Sequence, residues 1–225
     1  MCGRFTREFT WREVHDFLDL RFPAPAGGLA EMPRSWNVAP TQMTPVLMRD
    51  GSGARQLVAM SWGLRPAWAT DPSRAPINAR SETVSGSAMF RGAFKSRRCL
   101  IPASGFYEWR NDGGKKQPFY IRLLNDPMFC FGGIYEPGVG DSAPTFATLT
   151  TRPNELMATI HDRMPVIIRR ERFDAWLQAA DSGLQDFEPF AAEEMTAWTV
   201  GQRVGNPRNN DAELVKPAAS EGLFG

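Results

Sequence analysis

The second residue, Cys2, occupies a position that offers chemistry no internal cysteine has. A small second residue permits removal of Met1, which would leave an α-amine and a thiol on adjacent carbons. Their reference pKa values, about 7.7–8.0 and about 8.5, leave both partly nucleophilic near neutral pH. The amine can condense with an aldehyde, and the thiol can then close the imine to a five-membered thiazolidine. Gly3 lets a partner approach the backbone closely. Arg4 sets a guanidinium fork, a good anion ligand, beside the nucleophile. Without such neighbours Cys2 would read as an incidental cysteine at a frayed terminus.

Only two imidazoles are available, His15 and His161. His15 sits within a short helix expected after the capping-box pair Thr10 and Glu13, among Trp11, Val14, Phe17 and Leu18. His161 is expected at the C-terminal end of a helix over Asn154–His161, with Pro153 in its first turn. There the helix dipole favours imidazolium and suits a general acid. A lone histidine is more commonly a surface or hydrogen-bonded core residue. Glu108 follows two aromatics in an expected strand, where a buried carboxylate is costly unless used or paired. It can shuttle protons or form an ion pair with Arg4 or Arg80. Asn78 can hold a reacting group by hydrogen bonds or cap a helix over Ala79–Thr83.

The three cysteines, Cys2, Cys99 and Cys130, are far apart, and no C-x-x-C or paired-histidine spacing occurs. Neither a metal site nor a disulfide framework is expected. No glycine-rich phosphate loop is present, so no nucleotide cofactor is expected. The net charge of +1 excludes a bulk basic field, so anions must be bound by local patches. One such stretch is Arg91, Lys95, Arg97 and Arg98. Met1–Trp11 does not resemble a secretory signal, and no apolar run approaches the ~20 residues that span a membrane. A cytoplasmic monomer is expected.

These residues need elements to position them. Strands are expected at Thr44–Arg49 and Arg55–Leu64, then Cys99–Pro102, Phe106–Arg110, Pro118–Leu123, Phe129–Tyr135, Thr145–Thr150, Val166–Ile168 and Thr196–Val204. Short helices are expected at Arg80–Val84, Met89–Lys95 and Arg170–Ala180, and a loop at Phe22–Pro33. Asn111–Gln117 reads as a hairpin turn. The 225 residues show no domain boundary. The pattern is α+β, a single domain with a curved, mainly antiparallel, barrel-like β-sheet flanked by short helices. The domain is expected over residues 1–217, with a mobile tail at 218–225.

After Cys2-Gly3-Arg4-Phe5, five blocks stand in order: Trp36-Asn37-Val38-Ala39-Pro40; Trp62 to Trp68; Asn78-Ala79-Arg80-Ser81-Glu82-Thr83; Cys99 to Trp109; and His161-Asp162-Arg163-Met164-Pro165. The set resembles the SRAP (SOS-response-associated peptidase) family, whose members shield abasic sites in single-stranded DNA. The resemblance runs from Met1 to about Pro217. It implies a single α+β domain, a Cys exposed by methionine removal, and covalent capture of the abasic site, with possible autopeptidase and lyase activity. By motif match Cys2, Asn78, Glu108 and His161 are the implied catalytic residues. The ring-opened abasic aldehyde suits an aminothiol, and Asn78 would hold the Cys2 amine or the sugar hydroxyl. Gly205 stands where Asn is frequent, and Arg65 where an apolar residue is frequent.

Single-stranded DNA containing abasic sites is thus the expected partner. Its contacts are expected from Arg4, Asn37, Pro40, Trp68, Arg80, Trp109, Thr150 and Arg163, the tryptophans stacking on bases for ~1–3 kcal/mol each. Side chains alternate along a strand, so Tyr107 and Trp109 should face away from Phe106 and Glu108. Two other readings stand beside this one. An N-terminal-nucleophile amidohydrolase also begins Met-Cys-Gly, although Arg4 and the downstream blocks do not fit it. A non-covalent single-strand-binding module would use the Arg and Trp residues and be indifferent to Cys2.

Overall fold

The computed structural model describes residues 2–20, 32–69, 71, 75–178 and 187–218. The strands are β1 (Arg4–Arg7), β2 (Ser35–Val38), β3 (Met43–Arg49), β4 (Arg55–Trp62), β5 (Asn78–Arg80), β6 (Arg98–Ala103), β7 (Gly105–Asp112), β8 (Lys115–Leu123), β9 (Phe129–Glu136), β10 (Thr145–Thr151), β11 (Met164–Pro165), β12 (Ile167–Ile168) and β13 (Met195–Thr199). The helices are α1 (Trp11–Phe17), α2 (Arg91–Ser96), α3 (Glu155–Ala158) and α4 (Phe173–Leu177).

One sheet has the order β13-β8-β7-β1-β2 and is antiparallel throughout. The other runs β11-β10-β4-β3-β6-β9-β12. Because β10 also pairs with β9, strands β4, β3, β6, β9 and β10 close on themselves. Among the described residues only the pairings of β10 with β4 and β5 are parallel. The expected curved, mainly antiparallel, barrel-like sheet in an α+β domain is therefore what forms.

Alternation along the strands divides the core. Phe5, Phe106 and Ile121 of the first sheet pack with Met60, Trp62, Ile101, Phe131 and Phe146 of the second. The alternate residues Leu100 and Cys130 face Val14, Leu18, Phe94, Phe173 and Trp176 under the helices. Arg98 is buried there, its guanidinium 4.4 Å over the Phe94 ring and 5.0 Å over Trp176. The expected basic stretch is thereby split: Arg97 pairs with Glu136 at 2.7 Å, and Arg91 and Lys95 remain exposed.

Several expectations need correction. Arg80–Val84 is not a helix: β5 carries Asn78–Arg80, and turns follow. The helix expected through His161 is the single turn α3, capped by Asn154, whose side chain accepts from Met157 N at 2.8 Å. Pro153 thus precedes the cap. The last strand stops at Thr199, and Gln202–Gly205 is a 3-10 turn. Arg170–Arg172 is also 3-10, ahead of α4. The early helix and its capping box form as expected. Most of the Phe22–Pro33 loop and nearly all of the C-terminal tail lie outside the described residues.

β1 is anchored at its inner end by a buried polar network. Tyr120 Oη lies 2.8 Å from Thr6 Oγ1 and donates to Glu8 Oε1 at 2.8 Å, and Ser104 Oγ accepts from Glu8 N at 2.8 Å. Burial first, and Glu8 second, push the Tyr120 phenol well above its usual range, so it remains a donor. Gly105 makes room: a Cβ there would lie 2.3 Å from Tyr120 Oη. Gly105→Ala is therefore expected to cost about 3 kcal/mol by overpacking, read from chemical denaturation. A loss below about 0.5 kcal/mol, the range of inert surface changes, would show that the ring is not held there.

Candidate active site

Cys2 stands two residues before β1, which lies between β2 and β7. The register Arg4↔Tyr107, Phe5↔Phe106, Thr6↔Gly105 sets Gly3 opposite Glu108 when carried outward. Phe106 and Cys2 share one core cluster, and Tyr107 and Trp109 belong to another on the opposite face. Alternation therefore aims Glu108 toward the Cys2 side. Phe5 locks the strand, edge-on to Trp62 at 5.2 Å and to Phe131 at 5.8 Å, contacts worth about 0.5–1.5 kcal/mol each.

Cys2 is 1% exposed, and its thiol donates a long contact to Arg4 O at 3.8 Å. Burial pushes the thiol well above the usual range, and the nearby Glu108 carboxylate pushes it further. Asn78 opens β5, paired with Thr148 of β10. Its Nδ2 donates to Cys2 O at 2.8 Å. Asn78 is therefore not a helix cap. Its Oδ1 is buried with no hydrogen-bond partner among the described residues, an omission that costs about 1–3 kcal/mol unless a ligand fills it. Glu108 is 2% exposed, and its Oε2 accepts from Trp109 N at 3.3 Å.

His161 follows α3 in a loop whose neighbours Met157, Ile160 and Met164 pack in the same cluster as Cys2. Its backbone N–H closes the turn to Met157 O at 2.8 Å. The helix expected to end at His161 is a single turn that stops at Ala158. Arg163 N donates to His161 Nδ1 at 3.0 Å, while the exposed Asp162 carboxylate lies 2.9 Å from the same nitrogen.

The residues expected to touch DNA fall into two groups. Trp68 is 61% exposed, Arg80 is exposed, and Pro40 and Trp109 are half-buried. The others have internal work. Asn37, 1% exposed, accepts from Arg4 Nη1 at 2.8 Å and donates to Val204 O, Asn206 O and Asn209 O at 3.3, 3.1 and 2.8 Å. Arg4 also donates to Val204 O at 2.7 Å and Gly205 O at 3.0 Å. Its fork thus ties the C-terminal segment to β1 and does not pair with Glu108. Gly205 is an acceptor in that clamp and lies in a 3-10 turn, not a strand. Thr150 is 1% exposed, and its carbonyl accepts from Arg163 Nη2 at 2.8 Å. Asn37 and Thr150 are thus both buried and hydrogen-bonded within the protein. The sequence reading missed the segment Gly205–Asn210 as a clamp; its run of asparagines was the available signal.

Fold and site together define a single-domain α+β protein whose candidate chemistry lies at its own amino terminus. Comparison with known proteins makes this specific. The family profile described as SOS response associated peptidase (SRAP) matches residues 1–207, and the chain belongs to that family. It is 39% identical to the abasic site processing protein YoaM of Bacillus subtilis, over 96% of this chain and 97% of that one. It is 32% identical to the abasic site processing protein YedK of Escherichia coli, over 96% and 100%. A solved protein from Bacteroides thetaiotaomicron superposes with a TM-score of 0.84 at 26% identity, covering 97% of this chain and all of that one. No helix among the described residues is long and apolar enough to cross a membrane.

The electrostatic coupling of Glu108 to the thiol is testable. Glu108→Gln removes the negative charge, so the pH at which Cys2 ionises should fall, measured by the pH dependence of its alkylation. Cys99 and Cys130 are as deeply buried as Cys2, so the measurement is made in a Cys99→Ala, Cys130→Ala background in which Cys2 is the one thiol. An unmoved midpoint would remove Glu108 from the neighbourhood of the thiol.

Proposed function

We propose that this protein processes abasic sites in single-stranded DNA by capturing the ring-opened aldehyde covalently on Cys2. The supporting observation is the meeting of Cys2, Asn78 and Glu108 at the outer end of β1, in a chain whose relatives are named abasic site processing proteins. Removal of Met1 frees the α-amine. That amine adds to C1′ of the aldehyde, and loss of one water gives an imine. The thiol then adds across the C=N bond, sulfur to carbon and hydrogen to nitrogen, closing a thiazolidine.

Each neighbour has a task. His161 protonates the sugar ring oxygen as the ring opens. Glu108 takes a proton from the amine and returns it to the departing hydroxyl. Asn78 Oδ1 receives a hydrogen bond from the Cys2 amine or the sugar hydroxyl. Removing Met1 also brings an ammonium onto the carbon next to the thiol, which opposes the upward push of burial and Glu108. Trp68 and Trp109 stack on flanking bases, and the exposed Arg80 neutralises phosphate. Hydrolysis of the Met1–Cys2 bond and strand cleavage at the lesion are further steps that the same residues could serve.

Incubation of the processed protein with single-stranded DNA carrying one abasic site should give a species that survives a denaturing gel. Cys2→Ala should abolish it, and His161→Ala should slow it by about 100-fold, the contribution of one general acid. An adduct that forms unchanged in Cys2→Ala would overturn the proposal.

A further inference from the structure

We propose that Glu82 is a positioning residue that holds His161 in the tautomer carrying its proton on Nε2. The proposal rests on the role given to His161 above. Glu82 lies just after β5, two residues past Arg80, and is exposed. Both its carboxylate oxygens engage Arg163: Nη1 to Oε1 at 2.6 Å and Nη2 to Oε2 at 2.8 Å. The same Nη2 donates to Thr150 O in β10 at 2.8 Å. Arg163 is thus gripped by a parallel, bidentate pair and a strand carbonyl, and its side chain is 13% exposed. A fork held this way has little freedom to swing.

The consequence reaches His161 through the backbone. Arg163 N donates to His161 Nδ1 at 3.0 Å. A nitrogen that accepts a hydrogen bond carries no proton, so the neutral ring bears its hydrogen on Nε2. Asp162 makes the opposite demand, because its carboxylate 2.9 Å from Nδ1 needs a proton there. Two facts decide between them. Asp162 is 84% exposed and is well hydrated without the imidazole. The Arg163 N–H is part-buried and loses its acceptor if the ring turns. With the Arg163 side chain clamped, the peptide cannot rotate away from Nδ1. Glu82 therefore acts through Arg163 on which ring nitrogen presents hydrogen to a substrate oxygen.

The tautomer is read directly from the ring nitrogen resonances of the full chain without DNA, at a pH where the imidazole is neutral. Only His15 and His161 contribute, and His15→Gln assigns them. The expected wild-type signal for His161 is a protonated Nε2 and an unprotonated Nδ1. In Glu82→Gln and Glu82→Ala it should move toward a mixture, with His15 unchanged as the control for folding. Adduct formation with abasic single-stranded DNA should slow about 10-fold, and Glu82→Asp should recover part of both signals. An Nδ1-protonated His161 in the wild type, or a tautomer unmoved in Glu82→Ala, overturns the proposal. Because the spectrum is taken on the free protein, failure of the capture chemistry alone would leave this result standing.

Discussion

A chain terminus is ordinarily the least ordered part of a domain, yet this candidate nucleophile is the second residue of the chain. The constraint on which the structure turns is therefore the immobilisation of β1. It is an interior strand, hydrogen-bonded on both edges by β2 and β7. Its inward Phe5 is wedged between Trp62 and Phe131. Its inner end is tied by the Thr6–Tyr120–Glu8–Ser104 network, and its outer end by Arg4 and Asn37. Cys2 inherits that rigidity, and Asn78 fixes its carbonyl from the other sheet.

The two-sheet arrangement explains why the site lies where it does. Cys2, on the β1 side, must meet Asn78, which β5 brings alongside β10 of the closed sheet. Packing of Phe5 and Phe106 against Trp62 and Phe131 brings the sheets to core distance, so residues at the ends of β1 and β5 can touch. The loop after α3 reaches the same end because β11 pairs with β10 through Thr150↔Pro165, and Arg163 ties it down. The site's polar groups are thus carried on strands and their flanks, where a small shift is resisted by many packed neighbours. Burial first, and Glu108 second, favour the protonated thiol.

Much of this was legible in the residues. The strands from β6 to β10 were marked by short runs of apolar, β-branched and aromatic residues between turn residues, and β7 kept Phe106 and Glu108 apart from Tyr107 and Trp109 as alternation requires. Five ordered motif blocks pointed to the family that the profile match confirms. The misses have physical causes. Asn78–Arg80 is too short to show a period, so a capping asparagine and a helix were the natural reading, and parallel pairing to β10 decided otherwise. The helix before His161 lost its last turns because the chain must bend to pair β11. The charged residues were hardest to read. Arg98 looked like surface and is buried on two aromatic rings, while Arg4 and Asn37, expected to touch DNA, are engaged in a C-terminal clamp. Sequence does not disclose which partner an arginine takes when its best acceptors are backbone carbonyls about 200 residues away.

The central claim is that the amine and the thiol of Cys2 act together on one aldehyde carbon. The most direct measurement is tandem mass spectrometry of the N-terminal peptide released from the protein–DNA adduct after nuclease digestion. The expected product lacks Met1 and carries the sugar remnant on Cys2 with loss of one water. It survives without borohydride reduction, because a thiazolidine has no C=N bond left to reduce. A remnant found on a lysine, or on a peptide that still begins with Met1, would contradict the claim.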